Sequence, residues 1–234
     1  MPGKMTFLAF SGGLDSTTLL CMRLAEGAEV QPVFFDYGSK HNAFERKAAN
    51  DVLAVVCPHT PLKVVELHNS GIFEGSASAL LADSPDAVPD ASYTAPGSLA
   101  ATVVPGRNLI MASILASMAE VHARRTCTPT EVALGVHAGD HVLYPDCRPD
   151  FVKALQQVVA ESSGNMVSVA APFLHCKKKN IVRIGRMVHA PLHLTRSCYK
   201  QQALSCGKCG TCRERLEAFA ACGLVDPIPY GSEA

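Results

Sequence analysis

The run Ser11-Gly12-Gly13-Leu14-Asp15-Ser16-Thr17-Thr18 sets hydroxyls and glycines between an apolar stretch and an amphipathic one. Glycines let a backbone approach a ligand closely, and the free N–H groups of a first helical turn face an anion, so this spacing fits phosphate binding. The alternative is an ordinary strand-to-helix turn in which serine and aspartate only cap the helix. The loop contains no lysine, so it is neither the P-loop form ending in Gly-Lys-Ser/Thr nor the GxGxxG form, and a phosphate would be held by dipoles and hydroxyls. Asp15 would repel that phosphate if left alone, so it either stands beside Mg²⁺ or turns back onto backbone donors as a cap.

A second constellation lies near the other end, where Cys198, Cys206, Cys209 and Cys212 are spaced C-x7-C-x2-C-x2-C around Gly207 and Gly210. Four thiolates suit a closed tetrahedral zinc site whose purpose is structural; an iron–sulfur cluster and buried free thiols are the alternatives. The chain has ten cysteines in all. With no leader sequence in view, a reducing cytoplasm is expected, which favours metal over disulfides.

Further candidates are less specific. Arg107 and Lys178 could neutralise phosphate or carboxylate charge, against the alternative that Arg107 and the run 177–179 are solvated. His137, Asp140 and His141 follow an apolar stretch and could serve as polar groups handling protons, as a second metal site or as plain loop residues. Cys21 and Cys147 are read as packing residues without a chemical role.

These residues need a frame, and the apolar periodicity supplies one. Strands are expected at Thr6–Phe10, Val30–Asp36, Leu62–Leu67 and Glu131–Val136. Helices are expected at Ser16–Glu26, Ala43–Val56, Asn108–Arg124, Asp150–Ser162 behind Pro149, Lys177–His189 and Arg213–Cys222. Alternation of this kind implies an α/β fold with a parallel sheet, helices on both faces and ligand loops at strand ends. Between Asn69 and Gly106 periodicity fails and prolines accumulate, which reads as a flexible lid or binding loop of about 69–106. The expected division is an α/β domain over 1–194 that carries the candidate phosphate loop and a small C-terminal zinc-binding segment with a helix over 195–234.

Composition excludes several classes. Of 234 residues 48% are hydrophobic and 18% charged, enough for a core and without a disorder signature. Lysine plus arginine equals aspartate plus glutamate at 21 each, so no net field favours a nucleic-acid backbone. No apolar run approaches the roughly 18 residues of a membrane span, and the beginning of the chain lacks signal-peptide features, so a soluble cytoplasmic protein is expected.

The string SGGLDST resembles the signature of the PP-loop ATP pyrophosphatase superfamily, which activates oxygen atoms by adenylation and releases pyrophosphate. Together with Phe35-Asp36-Tyr37-Gly38, Val104-Pro105-Gly106-Arg107-Asn108, Tyr144-Pro145-Asp146-Cys147-Arg148 and Thr195-Arg196-Ser197-Cys198-Tyr199, the chain is similar to the 7-cyano-7-deazaguanine synthase family from about Thr6 to Tyr230. The resemblance implies an adenine nucleotide α-hydrolase-like fold, one Zn²⁺, ATP with Mg²⁺, and a homodimer. It implies conversion of 7-carboxy-7-deazaguanine and ammonia to the nitrile preQ0, on the route to queuosine, with no membrane or nucleic-acid partner. Carried over by motif, Phe10, Ser11, Gly12, Gly13, Leu14, Asp15, Ser16, Thr17, Thr18, Leu19 and Leu20 form the ATP segment, joined by Arg107. Ser11, Asp15, Ser16 and Lys178 are the expected catalytic residues, and Cys198, Cys206, Cys209 and Cys212 the expected zinc ligands. Tyr37, His137, Asp140, Asp146 and Arg148 are expected to meet the substrate. For Asp146 the expectation is a hydrogen bond to the N–H edge of the guanine-like base, against a helix-capping role. Two other readings stay open: a homologue that adenylates the acid but stops at the amide or passes the acyl group to another amine, and a PP-loop tRNA-modifying zinc protein.

Overall fold

Five short strands pair in the order β3-β2-β1-β4-β5, every pair parallel, in a computed structural model that describes residues 4–90, 100–140 and 144–231. The strands are β1 (Met5–Ala9), β2 (Glu29–Asp36), β3 (Lys63–Glu66), β4 (Thr130–Ala133) and β5 (Val167–Ala170). The helices are α1 (Leu14–Ala25), α2 (Asn42–Val56), α3 (Arg107–Thr126), α4 (Pro149–Ser163), α5 (Lys178–Met187) and α6 (Gly210–Ala220).

Side-chain alternation along each strand divides the core between two faces, as a sheet covered on both sides requires. Phe7, Val33, Phe35 and Val132 point to the face covered by α3 and α4, where Ala112, Leu115, Ala119, Val152 and Val159 pack. Leu8, Phe34 and Ala133 point to the other face, against Leu19 and Leu20 of α1, Ala49 and Val52 of α2, and Ile181 of α5. Pro32 has no N–H to donate, and β3 pairs with β2 only from Val33 onward, so the proline falls where β2 has a neighbour on one side.

The chain winds outward from β1 through β2 to β3, then crosses back to β4 on the other side of β1. That reversal opens a crevice beyond the carboxyl ends of β1 and β4, the place where open α/β sheets bind ligands. Both the loop after β1 and the loop after β4 therefore face one cleft.

Three local outcomes depart from the periodicity. β5 was not expected: Val-Ser-Val-Ala is too short to display alternation, and the strand exists because Thr130–Ala133 of β4 offers it a pairing edge. β4 ends at Ala133 rather than Val136, since Leu134, Gly135 and Val136 turn into the cleft. α6 begins at Gly210, ahead of the expected Arg213, which brings Cys212 into its first turn and makes Cys209 its N-cap. Part of the 69–106 segment lies against the exit of β2: Lys40 N–H donates to Leu80 O (2.8 Å) and Ala82 N–H to Gly38 O (2.8 Å), with Ser78, Ala79, Leu80 and Leu81 buried. Among the described residues no helix is long and apolar enough to cross a membrane.

Candidate active site and thiolate centre

The loop after β1 is shaped by one contact that only glycine allows. Gly12 has φ +71°, and a β-carbon there would lie 2.3 Å from the backbone nitrogen of Ala49. Gly13 then serves as N-cap of α1, and no side chain caps this helix. Ser11 Oγ accepts from Gly13 N–H (3.2 Å) and lies 3.4 Å from Ser16 Oγ, so both hydroxyls stay at the mouth of the helix. Thr17 N–H is already bonded to Gly13 O, whereas the N–H groups of Leu14, Asp15 and Ser16 precede the first intrahelical bond and belong to residues that line the cleft. Helix dipole, hydroxyls and free N–H groups thus converge on one space suited to phosphate.

Asp15 is not turned back as a cap. Its Oδ2 accepts from Lys178 Nζ at 2.6 Å, and Lys178 Nζ also lies 3.0 Å from His137 Nε2 and 3.5 Å from Glu214 Oε2. Burial by itself would lift the Asp15 carboxyl, but Lys178 and His137 outweigh it and hold the group below its ordinary value, so it is ionised at neutral pH. Its other oxygen, Oδ1, is buried without a hydrogen-bond partner. Four elements meet here: α1 supplies Asp15, the loop after β4 His137, α5 Lys178 and α6 Glu214. Gly139 leaves the room: a β-carbon there would lie 2.4 Å from Glu214 Oε1. Lys178 is therefore not a solvated surface lysine, with its side chain only 11% exposed.

Arg107, the first residue of α3, reaches the opposite wall, where its Nη1 donates to Tyr37 Oη at 3.0 Å and its guanidinium lies 5.4 Å from the Tyr37 ring centre. Tyr37, Phe10, His137 and Lys178 all line the same cleft. Asp146 and Arg148 do not. Asp146 Oδ2 accepts from Asn108 N–H (2.9 Å) and so caps α3 across space, while Arg148 is the N-cap residue of α4. Thr17, Thr18, Leu19 and Leu20 are buried along α1 behind the loop. The side chain of Asp140, and His141 entirely, lie outside the described residues.

The cleft is also lined by residues whose types and spacing alone point to no role, Glu45 of α2, Asn108, Arg196, Ser197 and Tyr199, and Glu214 stands beside Lys178 at its edge. Asn108, Arg196, Ser197 and Tyr199 lie inside quoted motifs, but Glu45 and Glu214 carry no local signal. Arg196 N–H donates to Gly12 O (3.0 Å), and its guanidinium holds the carbonyls of Lys200, Gln202 and Ala203, which ties the phosphate loop to the cysteine segment.

Cys198, Cys206, Cys209 and Cys212 are all buried, with their sulfurs within 4.8 Å of one another. A tetrahedron with metal–sulfur bonds of about 2.3 Å has edges of about 3.8 Å, and Cys206 Sγ lies 3.9 Å from Cys212 Sγ. Backbone N–H groups of Lys200 and Cys206 point to Cys198 Sγ, and those of Lys208 and Cys209 to Cys206 Sγ, at 3.3–3.4 Å. Hydrogen bonds from Cys198 and Cys212 hold Cys209 well below the ordinary thiol range. Donor set, spacing and N–H support all fit a metal held by thiolates. Behind it Arg215, fully buried, binds Asp226 through two hydrogen bonds (2.7 and 3.0 Å) and Thr195 Oγ1 (2.7 Å), fastening the segment after the cysteines to the segment entering them.

Comparison with known proteins agrees with this arrangement. The family model described as "Queuosine biosynthesis protein QueC" matches residues 5–223. The chain is 40% identical over 222 residues to the 7-cyano-7-deazaguanine synthase of Chromohalobacter salexigens, covering 94% of this chain and 84% of that one. It is 37% identical over 226 residues to the enzyme of that name from Caldicellulosiruptor saccharolyticus, covering 97% and 95%. With the one from Paracoccus denitrificans it shares 39% over 228 residues, covering 96% and 92%. A glycine loop suited to phosphate, joined to four buried cysteines and matched along nearly the whole chain, places this protein in the QueC family of queuosine biosynthesis proteins.

Proposed function

We propose that the chain is the ligase that converts 7-carboxy-7-deazaguanine, ATP and ammonia into 7-cyano-7-deazaguanine. The observation that carries the mechanism is the convergence of the α1 N-terminus, Ser11, Ser16, Arg107 and Lys178 on one cleft that a planar base can share. A carboxylate resists amine attack because it would have to expel oxide. Its oxygen attacks the α-phosphorus of ATP, pyrophosphate leaves, and ammonia then displaces AMP to give the amide. The amide oxygen is adenylated in a second round, and loss of AMP and a proton leaves the nitrile.

Negative charge grows on the phosphates in both rounds, so fixed donors stabilise the transition state, each worth on the order of 100-fold in rate. Ser11, Ser16 and the N–H groups at the start of α1 would hold the pyrophosphate, with Lys178 as the adjacent cation. The unpartnered Asp15 Oδ1 suits Mg²⁺, which neutralises phosphate charge when bound. Arg107 stands across the cleft, where a cation can meet the acid or its phosphate. Zn²⁺ on the four cysteines would be structural, holding Arg196 against Gly12 and keeping Ser197, Tyr199 and Thr211 in the cleft wall.

We assign the reaction to the cytoplasm, where thiols remain available to metal. Two copies would pair through α3 and α4, whose Leu109, Val121 and Val158 are exposed; sedimentation would show a dimer. The decisive experiment is mass identification of the product from zinc-loaded enzyme with the acid, ATP, Mg²⁺ and ammonium. The nitrile with two AMP per molecule is expected. Amide accumulating without nitrile would select the truncated reaction, and no AMP at all would overturn the adenylation.

A further inference from the structure

Recognition of the base requires a hydrogen-bond acceptor in the cleft, and Asp146 binds the start of α3 through its Oδ2. Among the described residues, the carboxylates lining the cleft are Asp15 and Glu45. Asp15 pairs with Lys178 through Oδ2, and its Oδ1 is the oxygen assigned above to Mg²⁺. Glu45, in the first turn of α2, has a side chain only 15% exposed, and no hydrogen bond among the described residues ends on its carboxyl group.

Its neighbours do not satisfy it. His41 Nε2 lies 3.7 Å from Glu45 Oε1 and meets no hydrogen-bond partner. Burial, with Arg107 and Arg196 nearby, pushes that imidazole down to about 3, so it brings no counter-charge. Arg107 donates to Tyr37, and the Nη groups of Arg196 hold three carbonyls while its Nε meets no partner, so neither guanidinium bonds the Glu45 carboxyl group. A largely buried carboxyl group that faces a cleft with no donor bonded to it is costly unless a ligand provides one.

We propose that Glu45 accepts the N1–H and 2-amino hydrogens of the deazaguanine and is the residue that selects this base; the proposal rests on the reaction proposed above. Two parallel N–H donors match the two oxygens of one carboxylate, the same fork geometry that makes arginine–carboxylate pairs specific. The edge of adenine offers one amino donor beside a ring nitrogen whose lone pair would face the second oxygen. Glu45 is thus suited to the guanine-like ring and unsuited to the adenine of ATP.

The test uses zinc-loaded wild type, Glu45→Gln and Glu45→Ala with 7-carboxy-7-deazaguanine and with its analogue lacking the 2-amino group. Wild type should use the analogue about 100-fold less well in kcat/KM, since an unpaired buried acceptor rejects a ligand without the donor. Both variants should lose about 100-fold on the natural acid, bring the two compounds within about fivefold of each other and keep the KM for ATP. Metal content and melting curves confirm that the variants fold, and the near-isosteric glutamine covers failure of the alanine. Unchanged discrimination in a folded variant, or a defect confined to the KM for ATP, would overturn the assignment of Glu45. Failure of wild type to form nitrile would instead overturn the reaction itself. Calorimetric binding of the two acids would then still decide the role of Glu45.

Discussion

Lys178 Nζ stands 2.6 Å from Asp15 Oδ2, joining the first turns of α5 and α1 across 163 residues of sequence. Both side chains are largely withdrawn from solvent, so each charge depends on the other more than a surface pair would.

A double-mutant cycle with Asp15→Asn and Lys178→Met should therefore be strongly non-additive. The expected coupling is about 1–3 kcal/mol in urea denaturation, and Lys178→Met alone should slow pyrophosphate release by about 100-fold or more. Additive effects would mean that the two groups act separately.

Metal removal should reach the nucleotide. Because Arg196 N–H is bonded to Gly12 O, releasing the cysteine segment frees one side of the phosphate loop. Elemental analysis should find about one zinc per chain, and Cys209→Ser close to none, with a lowered melting temperature. Weaker ATP binding should accompany the loss; intact ATP affinity in metal-free protein would uncouple the two sites.

Gly12→Ala should be the most damaging single change in the loop. The new methyl group would meet the backbone of Ala48 and Ala49 at 2.3–2.8 Å from a left-handed conformation, and neither backbone can yield without moving α2. A loss of about 2–4 kcal/mol is expected in denaturation midpoints, with ATP binding abolished.

Stability of the ligand-free protein should depend on Glu45. Burial, only partly offset by Arg107 and Arg196, pushes its carboxyl up from 4.5 to about 7. Between these values the folded chain holds a proton that the unfolded chain has released, so stability falls as pH rises through this window and levels off above about 7. Glu45→Gln should remove that slope, stabilising the free enzyme at ~pH 8 by about 1–3 kcal/mol and much less at ~pH 5. Parallel melts of wild type and variant at the two pH values measure this difference.

The two ends of the chain were legible because their chemistry is local. A glycine turn between a strand and a helix, or four cysteines within fifteen positions, needs only neighbouring residues to exist, and both formed as spacing required. Alternating apolar runs likewise defined β1, β2, α1 and α2 to within two residues at either end. β5 escaped notice because four residues carry too little pattern, and its strand character comes from the edge of β4.

Sequence alone thus determined the fold class, the glycine turn into α1 and the cluster of four cysteines, since these follow from periodicity and contiguous spacing. Tertiary structure decided the rest of the cleft. Nothing near Asp146 in the chain distinguishes a base-reading carboxylate from a cap on α3, and nothing near Glu45 marks it as facing the cavity. Lys178 is one of three consecutive lysines until packing aims it at Asp15. Roles of this kind depend on burial and on distant partners, which arise only when the crossover between β1 and β4 brings α1, α2, α5 and α6 around one crevice.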